Sequence, residues 1–341
     1  MIYFNKENRN KGIKGGKFRF RKNIYLKKRK VDIMLADKLN YGDTIGVVGV
    51  SNSIDLDENG YEVFSKAEEF FIQKGFKVKR GKYVLENYYG SAGTREQKAE
   101  DMMNMFKDKE VKAIICLTGG ETCNTFIDLL DYEIIKQNPK IITGYSDVTV
   151  LLQTIYKKTG LVTFHGSSFK DFGRENAEEC FKEFESVFIN RKIRKFADGE
   201  KKIIRKGNAE GKIIGTNLGC MMHLLGTEYL PDMKDKILLI ESYTTSPNQC
   251  QRRFAQLKQF GMFDQIKGVI VGYNYDLQKN GDIYPQMEDI LLEYTKEYNF
   301  PIVKCNDFGH KIINSTIPIG VDINIDSDNE NVEIIEQFLN E

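Results

Sequence analysis

From Asp43 onward, short apolar runs alternate with amphipathic stretches. "DTIGVVGVS" predicts a buried strand over Thr44–Val50, and "YEVFSKAEEFFIQKG" repeats apolar positions at helical spacing up to Gly75, a helix-ending glycine. "FKVKR" predicts a second strand. "TREQKAEDMMNMFKD" opens with Thr94 and Gln97 at capping-box spacing and predicts a helix. A strand over Val111–Leu117, a helix from about Asn124, the strand "KIITG" and a helix over Val148–Lys158 continue the series. Such alternation builds a mainly parallel sheet with helices on both faces, which takes its ligands at the carboxyl ends of the strands.

Between Ser167 and Gly207 the periodicity fades, and a lid or linker is expected there. A second block follows: strand "GKIIG", helix "NLGCMMHLLG", strand "KILLIE", helix "QCQRRFAQLKQFG", strand "GVIVGYN", helix "QMEDILLEYTKEY" and strand "PIVKC". The tail "VDINIDSDNENVEIIE" predicts a strand pair about a polar turn. The expected organisation is an α/β domain over residues 34–166, a linker or lid over 167–207 and a second α/β domain over 208–341. The site would lie between the two domains.

Composition narrows the class. With 341 residues, 41% apolar and 29% charged, the chain has the balance of a soluble globular protein. No apolar run approaches the roughly 20 residues that span a bilayer, so no membrane partner is expected. Six scattered cysteines without a C-x-x-C pair point to reduced thiols in a cytoplasmic protein. Residues 1–30 hold twelve Lys/Arg against Glu7, a net of +11, so the remaining chain nets −10. This leader, residues 1–33, is either an arm for an anionic surface or a disordered extension upstream of a start at Met34. The second reading is adopted, and no nucleic-acid partner is expected from the acidic body.

Chemistry concentrates at strand ends. In "AIICLTGGETCNTFIDLL" a strand meets Gly119–Gly120, then Cys123 where a helix is expected, the layout of a nucleophile elbow. A thiol there would be acidified by the helix end; equally, it would be a small residue packing a strand–helix corner. Of three histidines, His223 lies in an apolar helical segment and suits the core or an interface, while His165 ends a strand without an acidic partner nearby in sequence. His310 follows the strand Ile302–Cys305 on a loop, where bases commonly sit. Glu241 ends the strand "KILLIE" and is either the carboxylate that orients the base or a salt-bridged strand end. Ser146 in "ITGYSDVT" also occupies a strand–helix corner, but Ser146 and Asp147 suit helix capping, which is the reading adopted. No metal or cofactor motif is present, and neither is expected.

The segments "LTGGETCNTFIDLLDYEIIKQNPKIITGYSDVTVLLQTIYKKTGLVTFHG", "KILLIES", "GMFDQIKGVIVGYN" and "DFGHKIINSTIPIGV" resemble the LD-carboxypeptidase family of serine peptidases, from about Asp37 to the C-terminus. The resemblance implies a flavodoxin-like N-terminal domain, a swivelling C-terminal α/β domain and a homodimer. It implies a Ser–Glu–His triad, with Glu241 and His310 in the last two places and Cys123 where the family has serine. The Asn124 amide would supply one oxyanion donor, with Gly119, Gly120 and Gly93 as candidates for the second. Thr118 stands where muropeptide enzymes typically carry arginine, so the chain looks closer to the microcin C self-immunity branch. That implies cleavage of a carboxamide in a peptidyl- or aminoacyl-nucleotide. Members of that branch tend to stack the base on a loop aromatic, a role that would fall to Phe169 or Phe172. A muropeptide LD-carboxypeptidase and a ligand binder made inert by the Ser-to-Cys change are the alternatives.

Overall fold

The computed structural model describes residues 33–191, 196 and 199–341. Residues 1–32, and with them nearly all of the basic leader, lie outside that set. In the first half the strands are β1 (Thr44–Val48), β2 (Lys77–Arg80), β3 (Val111–Cys116), β4 (Ile141–Gly144) and β5 (Thr163–His165). Then come β6 (Lys201–Arg205), β7 (Asn208–Asn217), β8 (Lys236–Ser242), β9 (Gly268–Asn274) and β10 (Ile302–Gly309). Three short strands close the chain: β11 (Ile317–Ile319), β12 (Asp322–Asp326) and β13 (Asn331–Ile334).

These form two sheets. The first has the order β11-β5-β4-β3-β1-β2, parallel except for β11, which returns from the C-terminal half to pair antiparallel with β5. The second has the order β13-β12-β7-β8-β9-β10-β6, with β7 to β10 parallel and antiparallel strands at both edges. The protein is thus a mixed α/β fold. The middle strands β3 and β8 are nearly continuous apolar runs because both of their faces are covered. The expected capping box on Thr94 and Gln97 forms, starting the helix Arg95–Lys107. The tail hairpin β12–β13 is also as expected.

Two segments differ from the sequence reading. No helix begins at Asn124; two 3-10 turns, Cys123–Thr125 and Ile127–Leu129, occupy that stretch, and the helix Tyr132–Gln137 starts only after Asp131, whose side chain caps it. The expected loose linker is packed as far as Ile189. Phe169 and Phe172 lie in a 3-10 turn, and Phe181 and Phe184 on the helix Ala177–Phe184; all four join a buried aromatic cluster around Phe71. Among the described residues no helix is long and apolar enough to cross a membrane.

Candidate active site

The carboxyl ends of the parallel strands of both sheets converge on one cavity of about 540 Å³. Its lining includes Asn52 after β1, Thr118–Glu121 after β3, Tyr145 and Ser146 after β4, Asn217 ending β7, Ser242–Thr244 at the end of β8 and His310 after β10. A second lobe of about 380 Å³ shares Tyr145, Lys170, Tyr243 and His310 with it and adds Arg174 and Lys311.

Glu241 and His310, 69 residues apart in sequence, meet here. Nδ1 of His310 lies 2.7 Å from Oε2 of Glu241, and the Asn217 side-chain amide donates to Oε1 at 2.9 Å. Burial alone would raise the Glu241 carboxyl; the charge and hydrogen bond of His310, with Asn217, outweigh it and hold the group below the ordinary carboxylate range. With Nδ1 donating to the carboxylate, Nε2 of His310 carries the free lone pair, and it has no hydrogen-bond partner among the described residues. Tyr243 stacks on the imidazole at 4.9 Å with an interplanar angle of 10°, fixing its plane.

The partner for that nitrogen is not where the sequence reading put it. Cys123 is fully buried and outside the cavity lining. Burial first, then the Asp147 and Cys116 charges, push its thiol well above the ordinary range, with Lys98 opposing only in part. Without a helix at Asn124 there is no helix end to acidify it. Asn124 is exposed on the 3-10 turn and does not line the cavity, and Gly93 packs against Gln97 in the capping box. Phe169 and Phe172 are core residues, 0% and 2% exposed, unable to stack on a ligand. His223 is exposed at the cavity rather than buried.

Ser146 does line the cavity, with φ +64°, a left-handed backbone that costs a non-glycine residue on the order of 1 kcal/mol or more. Neither it nor Asp147 caps a helix. The Asp147 carboxylate instead reaches across to the Ser51 hydroxyl at 2.5 Å and the Cys123 amide at 2.8 Å, pinning the corner from beneath. Gly119 and Gly120 line the cavity as expected, and the structure supplies the reason they are glycines. A Cβ on Gly119 would sit 2.7 Å from the Ser146 Cβ, and one on Gly120, at φ +152°, would sit 2.2 Å from the Asn52 side chain.

His165 is also buried. Its Nε2 is 3.1 Å from Oδ1 of Asn314, which in turn accepts the Gly309 amide next to His310 at 2.8 Å. Burial lowers this imidazole to about 4. It therefore serves as a neutral strut behind the His310 loop.

A buried carboxylate bound to a histidine at the strand ends of an α/β sheet is an arrangement that peptidases and related hydrolases use. Residues 45–166 match the LD-carboxypeptidase N-terminal domain and residues 210–325 the LD-carboxypeptidase C-terminal domain, so the chain belongs to the LD-carboxypeptidase family. The microcin C7 self-immunity protein MccF of Escherichia coli is 30% identical over 90% of this chain and 97% of its own. The probable murein peptide carboxypeptidase of Bacillus subtilis is 30% identical over 83% of this chain and 88% of its own. The structure of MccF in complex with glutamyl sulfamoyl guanosine matches with a TM-score of 0.81 at 28% identity, covering 90% of this chain and 99% of that one. The resemblance to the self-immunity branch is upheld.

Proposed function

We propose that this protein is a serine hydrolase that cleaves the carboxamide joining an aminoacyl or peptidyl group to a nucleotide-like group. Ser146 is the nucleophile, His310 the base and Glu241 the residue that orients and charges it. The observation that carries this reading is the left-handed Ser146 at the end of β4, in one cavity with the unpartnered Nε2 of His310. Strain of this kind aims a hydroxyl out of a strand–helix corner. An active-site variant of MccF likewise replaces a serine, together with an asparagine and a lysine.

Ser146 Oγ attacks the carbonyl carbon while its proton passes to Nε2 of His310. The oxyanion is held by the amides of Gly119 or Gly120 and of Asp147. On collapse, the imidazolium gives the proton to the departing nitrogen, leaving an acyl ester on Ser146. Water, deprotonated by the same nitrogen, then releases the acid and restores the hydroxyl.

The substrate class rests on two supports. MccF structures hold glutamyl sulfamoyl guanosine and aspartyl sulfamoyl adenosine. In this chain Arg253 lines the cavity, donates to Thr245 at 2.7 Å, and has no carboxylate at ion-pair distance among the described residues. An acidic aminoacyl group would give that guanidinium its partner. The test is incubation with aspartyl sulfamoyl adenosine and, separately, with a muropeptide tetrapeptide, followed by mass spectrometry. Cleavage of aspartyl sulfamoyl adenosine alone, at its carboxamide, is expected, with Ser146→Ala losing about 10³-fold or more of turnover. Cleavage of the muropeptide alone would assign the protein to cell-wall recycling instead.

A further inference from the structure

Lys98 is a lysine the proposed chemistry does not use, and it is only 2% exposed. It lies on the helix Arg95–Lys107 and reaches the Thr122–Thr125 turn, which follows Gly119 and Gly120 in sequence. Its ammonium contacts Ser91 Oγ at 3.0 Å, Thr122 O at 3.1 Å, Thr122 Oγ1 at 3.2 Å and Thr125 Oγ1 at 3.0 Å. The Phe126 ring sits 5.5 Å away on a further side. Among the described residues no carboxylate is at ion-pair distance, so this is not a buried salt bridge. Burying an ammonium among neutral groups carries a desolvation cost, and burial does lower this amine, opposed by the Cys123 and Asp147 charges. A side chain whose only task was packing would avoid that cost with a methionine.

The contacts show what the ammonium achieves. The Thr122 amide donates to Ser51 Oγ at 3.2 Å, and Ser51 Oγ donates to the Asp147 carboxylate, which also accepts the Cys123 amide. Ser91, another ligand of Lys98, reaches the Ser51 carbonyl at 3.3 Å. The loops after β1, β2, β3 and β4 are therefore joined in one polar network, with Lys98 at its buried end and the Ser146 corner at the other. No neutral side chain of that length offers three donors at one atom.

We propose that Lys98 is a positioning residue for hydrolysis. Its ammonium clamps the Thr122–Thr125 turn so that the Gly119 and Gly120 amides stay in register with Ser146. The proposal rests on the reading of Ser146 as nucleophile and of those amides as oxyanion donors. Its test therefore uses a probe that needs the nucleophile and oxyanion site but not the natural substrate: the rate at which a small fluorophosphonate labels Ser146, alongside kcat and KM for aspartyl sulfamoyl adenosine.

Lys98→Met is expected to slow labelling at least tenfold and to lower kcat to a similar degree, with KM within about threefold of the parent. Lys98→Arg, which keeps the charge and the donors, is expected to recover most of both rates. Thr125→Val removes one ligand of the ammonium on an exposed turn and is expected to slow labelling by a smaller factor, which keeps the test alive if Lys98→Met does not fold. Labelling at the parental rate in Lys98→Met, or in Thr125→Val, overturns the clamp. So does a loss confined to KM, or an arginine variant no better than methionine. Parent protein that labels at Ser146 but leaves the carboxamide of aspartyl sulfamoyl adenosine intact refutes the substrate reading alone. Parent protein that never labels refutes Ser146 as nucleophile, and the clamp with it.

Discussion

Acidification should weaken this protein through one identifiable residue behind the His310 loop. His165 is fully buried, its Nε2 is bound to the Asn314 side-chain carbonyl oxygen, and its Nδ1 has no partner among the described residues. Because Oδ1 of Asn314 also accepts the Gly309 amide, Nε2 must donate and Nδ1 is bare. Protonation would place a charge on a buried nitrogen with nothing to receive it. The folded imidazole titrates at about 4 against 6.5 for the free side chain. The unfolded chain therefore takes up this proton first, at the higher pH. Its contribution to stability is complete above about pH 7 and is lost as pH falls through 6.5 toward 4.

The gap of about 2.5 pH units corresponds to about 3.4 kcal/mol in the limit, and to about 2.4 kcal/mol between pH 7 and pH 4.5. Other groups titrate in the same range, so the measurement is a difference of differences. Urea unfolding, followed by circular dichroism, would be run at both pH values for the parent and for His165→Gln, which keeps a neutral donor near the Nε2 position. The variant is expected to lose about 2 kcal/mol less than the parent on acidification. Parallel losses in the two proteins would show that His165 is not held neutral, and that it is no strut for the His310 loop.

The remaining predictions concern the elbow. Under limiting iodoacetamide on the native protein, Cys123 should label no faster than the buried Cys116 and Cys250, and Cys123→Ala should retain turnover; rapid, selective labelling of Cys123 with loss of activity would restore the thiol as nucleophile. Gly119→Ala brings a methyl carbon 2.7 Å from the Ser146 Cβ and 3.0 Å from its Oγ, so kcat should fall by about 10² or more while circular dichroism stays native. A kcat near the parent's would mean that the elbow tolerates displacement and that Gly119 does not set its geometry.

What was legible in the sequence was whatever depended on local period or on the end of a strand. The apolar run of β8 closes on a carboxylate one residue before the strand's end, and β10 is followed by a histidine on a loop, so Glu241 and His310 could be singled out one at a time, although nothing local shows that they meet. Cys123 misled because a strand, two glycines and an expected helix start read as a self-contained corner. The glycines in fact answer to residues far along the chain, Gly119 to Ser146 and Gly120 to Asn52, and such requirements leave no local trace. Ser146 and Asp147 were read as caps because a serine–aspartate pair at a strand–helix junction serves capping and nucleophilic chemistry alike. Only the backbone separates the two, through a left-handed φ at Ser146 and a carboxylate turned toward Ser51 instead of along the helix. The phenylalanines after Ser167 failed for the converse reason. Set among charged residues they suggest a mobile loop, yet Phe181, Phe184 and Phe188 recur at helical spacing and, with Phe169 and Phe172, fill the gap beside Phe71. A ligand-stacking aromatic must keep a face open to the cavity. In this chain that condition is met by Tyr243, 36% exposed and already lying flat on His310, which sets it against both that imidazole and the cavity.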